Sequence, residues 1–181
     1  MSINTILSSK VTDTGSEPIT AEQAKLHASI DYTDYDSIIP IYISAARIAV
    51  ENATGLALVD KTVKLTARLY SGMPLKLPYS PVKQFSYAAL VVQNAYGQNV
   101  WSPSDPIDAY GVNDDLLTVA TDGMYEIEFT AGYANVPADL KLAILQMFTF
   151  IFNHRGEYNE GKLDTAIEAE RIIINNRRFA I

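Results

Sequence analysis

The spacing of apolar positions changes twice along the chain, from a helical period to a strict alternation and back. Between Asp34 and Gly55, Ile38, Tyr42, Ala45, Ala49 and Asn52 recur at three- and four-residue steps, and Ile41 and Ile48 widen the stripe. That pattern predicts an amphipathic helix, stopped by Gly55 because glycine accepts the left-handed turn after the last helical residues. Pro40 would delete an internal hydrogen bond, so the helix is expected to start late or to kink there, with Thr33, Asp34 or Asp36 as cap. Ahead of it, Thr20 followed by Gln23 is a capping-box spacing, and it opens a short helix with Ala24, His27 and Ala28 on one face.

From about Thr62 to Tyr133 the period is two. Val63, Leu65, Ala67 and Leu69 alternate with Lys64, Thr66, Arg68 and Tyr70, as in a strand with one buried face. After a turn at Ser71 to Pro74, Leu75 and Leu77 continue the alternation, and Pro78 and Pro81 confine the next stretch to a sheet edge or a connection. A strand from Phe85 to Gln93 is expected to pair with Asn99 to Trp101 across the turn Asn94 to Gly97. Leu116 to Val119 and Tyr125 to Thr130 are expected as a second hairpin around Asp122-Gly123. Between the two, Ser102 to Asp115 carries two prolines, four aspartates and one glycine, and reads as a long exposed loop.

The helical period returns at Pro137, whose missing N–H is no loss in a first turn. Leu140, Ala143, Ile144, Met147, Phe148 and Ile151 form a wide apolar face, and Phe150 and Phe152 make this helix apolar almost all round. Such a helix is central to a bundle or buried at a subunit contact, which singles out Phe148, Phe150 and Phe152 as candidate interface residues. A last helix from about Asp164 places Ala166, Ala169, Ile172 and Ile173 on one side and Arg171, Asn175 and Arg178 on another. The chain is therefore expected to be α+β. A helical lobe of about four helices, from residues 19–59 and 134–181, is interrupted by a small antiparallel sheet or open barrel at 60–133. Residues 1–18, mixing Ser, Thr, Asp and Gly without a period, are expected as a flexible arm.

Composition adds mainly exclusions. With 181 residues, 48% of them hydrophobic, the chain is long enough to bury roughly 70% of its unfolded surface, in one domain with two lobes or in two small domains. No apolar run approaches a bilayer span and Met1 to Lys10 lacks the zones of a signal peptide, so a soluble protein made in the cytoplasm is expected. There are no cysteines, hence no disulfide framework and no thiolate chemistry. A net charge of -7 argues against wrapping duplex DNA, which relies on Lys and Arg replacing counterions. It is compatible both with plain solubility and with lining a passage through which DNA slides.

The catalytic inventory is poor, and a building block is expected rather than an enzyme. His27 and His154 are the only histidines, too few for a three-His metal site and far apart in sequence for a triad; His27 reads as a packed or surface residue. No phosphate-cradling or dinucleotide-binding glycine run and no nucleophile elbow occurs. Asp105, Asp108, Asp114 and Asp115 do not have the spacing of a calcium loop and read as solvated acid, so no metal or cofactor is expected. Tyr79, Tyr87, Tyr96, Trp101 and Tyr110 suit a glycan- or protein-binding platform on a small non-catalytic module, or simply a mixture of core and interface residues. Arg171, Arg177 and Arg178 are the one concentrated basic patch. They complement a helix C-terminus, or, together with the apolar Phe179 and Ile181, anchor the chain to an acidic partner.

Several strings in fixed order carry a resemblance. They are Pro18-Ile19-Thr20-Ala21-Glu22-Gln23-Ala24-Lys25, Ile30-Asp31, Ile43-Ser44-Ala45-Ala46-Arg47, Val50-Glu51-Asn52 and Thr54-Gly55-Leu56-Ala57-Leu58. Leu77-Pro78-Tyr79-Ser80-Pro81-Val82, Phe129-Thr130-Ala131-Gly132-Tyr133, Val136-Pro137 and His154-Arg155 follow. Together, over about residues 17 to 155, they resemble the head-tail connector (adaptor or head-completion) proteins of tailed double-stranded DNA phages. Pro40, the long Ser102 to Asp115 loop and the extension after Gly156 depart from that pattern. The resemblance implies a non-enzymatic virion protein at the head-tail junction. It implies a homo-oligomeric ring, commonly a dodecamer, that binds beneath the portal protein after genome packaging and meets a tail-side stopper or tail-completion protein. DNA would pass through such a ring without sequence-specific binding. The family's portal-facing element is often C-terminal, which makes Arg171, Arg177, Arg178, Phe179 and Ile181 the portal-binding candidates.

Overall fold

The computed structural model describes residues 3–93, 99–101, 115–155 and 166–178. The chain forms two compact units, one from residues 1–15 and 59–133 and the other from residues 16–58 and 134–181. The fold is α+β: four helices among the described residues, and seven strands in two antiparallel sheets.

In the β unit the strands are β1 (Thr5–Asp13), β2 (Lys61–Leu69), β3 (Leu75–Lys76), β4 (Val82–Gln93), β5 (Asn99–Trp101), β6 (Leu116–Leu117) and β7 (Gly123–Ala131). Five of them make one sheet in the order β1-β2-β7-β4-β5, and β3 pairs with β6 apart from it. The alternation of β2 has the consequence expected of it: Val63, Leu65, Ala67 and Leu69 are buried. Opposite them on β7, Val63 meets Phe129, Leu65 meets Ile127 and Ala67 meets Tyr125, so the core is built from cross-strand apolar pairs. On the other face Lys64 lies opposite Glu128 and bridges it at 2.8 Å.

Two expectations fail here for identifiable reasons. Residues 5–13 are not a free arm but an edge strand along β2, with Thr5 facing Arg68 and Asp13 facing Lys61. Thr5 through Lys10 are exposed on both faces, so no buried alternation announces the strand; backbone pairing and the 2.6 Å Asp13–Lys61 ion pair hold it. Leu116 and Leu117 pair with β3 rather than with the strand after Asp122-Gly123. Asp122 instead accepts the Ser71 backbone N–H at 2.6 Å, while Ser71 Oγ donates to the Ala120 carbonyl and Gly72 N–H to that of Val119. Residues 119–122 are thereby stitched to the 71–74 turn, which is incompatible with a local hairpin. At the end of β7, Gly132 has φ +141°, and a Cβ there would lie 2.7 Å from Asp60 Oδ1 and 2.9 Å from the Val59 carbonyl oxygen. Only glycine fits this crossing.

The helical unit contains α1 (Ala21–His27), α2 (Ile39–Thr54), α3 (Ala138–Asn153) and α4 (Ile167–Asn176). The capping box of α1 is formed in both directions, with Gln23 N–H donating to Thr20 Oγ1 and Thr20 N–H to Gln23 Oε1. The late start of α2 resolves the Pro40 conflict, because the proline falls within the first two helical positions, where no intrahelical donor is required. Its N-cap is Ile38, with no side-chain cap; Asp36 is engaged by Lys25 at 2.6 Å instead. Gly55 closes the helix at φ +75°.

The inner face of α2 is not the stripe read from its sequence. Ile39, Ile43, Ala46, Val50 and Thr54 are buried, whereas Ile41, Ala45 and Ile48 are exposed. One position of offset is about 100° of rotation, since the helix turns once in 3.6 residues. The reason lies in Arg47 and Glu51, which occupy the interior and whose charge disqualifies that face in a hydrophobic pattern.

Candidate interaction surfaces

Arg47 and Glu51 are the only charged residues of α2, and each is 3% exposed. Arg47 Nη1 donates to Glu51 Oε2 at 2.6 Å, and its Nε donates to Glu17 Oε2 at 3.0 Å and Oε1 at 3.2 Å. Glu51 Oε1 in turn accepts the Leu58 backbone N–H at 2.8 Å. One guanidinium and one carboxylate thus tie the segment before α1 and the segment after α2 to the same helix. A charge so far from water is tolerated only when its hydrogen-bonding capacity is met, and here both side chains have several partners. Hydrophobic periodicity misses this group. Its signal is nevertheless present in the sequence, as an Arg-to-Glu spacing of four residues on a helix with no other charge.

With both charges inside, the outward side of α2 is uncharged. Ile41 is 68% exposed and Ile48 43% exposed, with Ala45 between them. By contrast α3 turns its aromatic residues inward. Phe148 and Phe152 are buried, stacked at 5.7 Å between ring centroids, and Phe152 meets Tyr35 and Tyr42 edge-on at 5.6 Å each. Arg155 covers this cluster, its guanidinium 4.3 Å from the Phe152 ring and 4.7 Å from that of Tyr35; the Tyr35 hydroxyl beside it holds its pKa above the ordinary arginine value. Phe148 and Phe152 are thus packed within the protomer. Phe150, half-buried with its ring 4.4 Å from that of His154, is the member of the trio that remains near the surface.

The basic C-terminal residues divide in the same way. Arg178 is braced on the end of α2: its N–H donates to the Thr54 carbonyl at 2.9 Å and its Nη1 to the Gly55 carbonyl at 3.2 Å. A cation on the last carbonyls of a helix is favoured by their partial negative charge. Arg171 and Arg177 are exposed, while Phe179 and Ile181 lie outside the described residues.

The remaining candidates do not converge. His27 Nδ1 is 2.9 Å from Thr149 Oγ1, and because that hydroxyl donates to the Leu145 carbonyl, the imidazole is the donor. His154 Nδ1 faces the carbonyl of Phe150. Of the aromatic platform, Tyr79 lies beneath Lys61 and Tyr87 donates to Glu126 Oε1 at 2.7 Å; that bond holds the phenol well above its usual pKa. Tyr96, Tyr110 and the side chain of Trp101 are outside the described residues, as are Asp105, Asp108 and Asp114. Among the described residues no group of three or more metal-ligating side chains occurs, and no helix is long and apolar enough to cross a membrane.

Similarity to known proteins gives this arrangement a context. The fold resembles a chain of the neck of an empty gene transfer agent (GTA) particle computed with C6 symmetry, at 20% identity and a TM-score of 0.65, covering 95% of this chain and 97% of that one. It also resembles a chain from the virion of a native gene transfer agent particle, at 21% identity and TM-score 0.64, with coverages of 94% and 96%. A third is from the neck of a native particle computed with C12 symmetry, at 20% identity and TM-score 0.58, with coverages of 95% and 97%. No curated protein matches by sequence. The family model of head completion proteins, however, matches residues 17–162, most of the chain including both the capping box of α1 and the buried pair of α2. The chain belongs to the head completion protein family, and its role is that of a structural head-tail connector of the virion.

Proposed function

We propose that the protein assembles as a closed homo-oligomeric ring beneath the portal after genome packaging and extends the DNA channel toward a tail-side stopper or tail-completion protein. The observation that carries this reading is the family match over residues 17–162, joined to a fold shared with chains of particle necks computed with C6 and C12 symmetry. A dodecamer is the ring expected from the latter. Rotational rings are built from heterologous contacts, two different faces of one subunit. A net charge of -7 suits a passage that DNA traverses without sticking.

Portal attachment falls to the exposed Arg171 and Arg177 with the apolar Phe179 and Ile181; Arg178 supports the fold and contributes to docking only by holding the segment in place. Native mass spectrometry and electron microscopy of the protein mixed with portal test the ring, which should appear as a many-subunit species. A strict monomer that ignores portal at micromolar concentration would overturn it. Arg171→Glu with Arg177→Glu should weaken portal capture at an unchanged fold by circular dichroism; unchanged capture removes the anchor assignment.

A further inference from the structure

The face of α2 that carries Ile41, Ala45 and Ile48 has an unusual composition for a surface in contact with water. Its helix has two charged residues, and both point inward at 3% exposure. Its two outward isoleucines are 68% and 43% exposed. Neighbouring outward positions add Pro40 and Asn52, again without charge. A solvated helix face in a protein with 35 charged side chains is expected to hold several of them (14 basic plus 21 acidic). Depletion of charge with exposed aliphatic residues is the mark of an interface centre.

From this we infer that the Ile41-Ala45-Ile48 face of α2 is a subunit contact, covered by a second copy of this chain. The argument for a copy, rather than another partner, is the ring reading, in which each protomer covers two different faces with its neighbours, and the electrostatics allow it. Two chains of net charge -7 repel at most approaches, and an uncharged apolar face is where they meet without placing carboxylates together. The inward pairing of Arg47 with Glu51 and Glu17 keeps the only charges of this helix out of that contact. Because the ring contact is heterologous, the face meets a different surface of its neighbour, not the same helix. The inference rests on the ring reading and names one of its two faces.

The absence of native cysteine makes a clean test possible. The variant Ile48→Cys is labelled with a maleimide in the dilute protein, in the concentrated protein and in the portal complex, each sorted by native mass spectrometry. In oligomers its labelling rate should fall about tenfold or more relative to the monomer, as a buried interface position excludes solvent. Ile41→Asp with Ile48→Asp should stay folded by circular dichroism and move assembly to about 100-fold higher concentration. If the protein oligomerises but the thiol introduced by Ile48→Cys reacts as fast as in the monomer, the α2 assignment is overturned and the ring stands. If protection is already complete in portal complexes that carry a single copy of this chain, the occupant is the portal and the inference fails. If the wild type remains monomeric under every condition, the ring reading itself falls, and this inference with it.

Discussion

Beyond Lys61, the β2–β7 pair and the helix α2 place their charges on opposite sides of their secondary structure. From Val63 on β2 and from Tyr125 on β7 every second residue is apolar and buried, Lys61 at the start of β2 being an inward charge paired with Asp13, and the positions between them carry the Lys64–Glu128 bridge and the Glu126 carboxylate that binds Tyr87. On α2 both charges, Arg47 and Glu51, are inside beside Ile39, Ile43 and Val50, while Ile41 and Ile48 are outside. A surface finished with ion pairs needs nothing more than water. A helix that buries both its charges and leaves Ile41 and Ile48 uncovered has an outward face suited to another protein. Within one chain, then, charge placement separates a face adapted to solvent from one adapted to another protein.

The largest effect that tests this comparison is at Arg47. Replacing it by Met should cost about 3–5 kcal/mol in urea unfolding, because Glu51 would be left buried without its cation. Adding Glu51→Gln should recover most of that loss, since glutamine keeps an acceptor for the Leu58 N–H while no charge remains inside. A single-variant cost below about 1 kcal/mol would mean that water reaches the pair, and the contrast between the units would lose its basis.

Next in size is a contrast between two glycines. Gly132→Ala in the β unit should cost about 3 kcal/mol, from its φ of +141° and the sub-3 Å approach of a Cβ to Asp60 and Val59. Gly55→Ala in the helical unit should cost only about 1 kcal/mol, since φ +75° is accessible to alanine with modest strain and the nearest side-chain atom, on Arg178, is 3.7 Å away. Equal costs in thermal or urea unfolding would show that the crossing at 59–60 yields more readily than its geometry implies.

How much of this is legible in the sequence follows from what each element buries. β2 and α3 are readable because each buries one face, marked by Val63, Leu65, Ala67 and Leu69 in the first and by Leu140, Ala143, Ile144, Met147 and Phe148 in the second, so the apolar period is the structure. The capping box of α1 and the C′ glycine of α2 are readable because they are local chemistry. β1 is not, because a strand exposed on both faces has no apolar period to detect. The face of α2 misleads because hydrophobic periodicity assumes that isoleucine is inside and arginine outside, whereas Ile41 and Ile48 are exposed and Arg47 is buried in its pairs with Glu17 and Glu51. The portal candidates group together by proximity in sequence; the structure separates Arg178, which caps α2, from Arg171 and Arg177, which do not share that role.

That separation predicts a smaller effect. Arg178→Ala should cost about 1 kcal/mol of stability, through loss of a charged donor at the Gly55 carbonyl, with its backbone bond to Thr54 retained. Arg171→Ala and Arg177→Ala should leave the urea midpoint where it is. Should all three destabilise alike, the C-terminal basic residues would form one structural cluster, and no portal role could be isolated by mutation.

The smallest effect belongs to the ion pair that finishes the β sheet. Glu128 raises the pKa of Lys64 through a hydrogen bond and its charge, yet the lysine side chain is 52% exposed. The raised pKa gives a stabilisation present below the unfolded-state value of lysine and lost as the pH climbs through the folded one, so at neutral pH it is fully in place. It is nevertheless screened by water and by salt. Lys64→Gln is therefore expected to leave the urea midpoint at neutral pH within error, and salt at about 0.5 M, a level of about 4 Å screening length, should not change the difference between variant and wild type. Arg47→Met in the same series should lose its several kcal/mol at both salt levels, because a buried pair is shielded from mobile ions. A Lys64 effect approaching that of Arg47 would show that the outward ion pairs of the sheet are structural, and that burial rather than sign of placement is what distinguishes the two units.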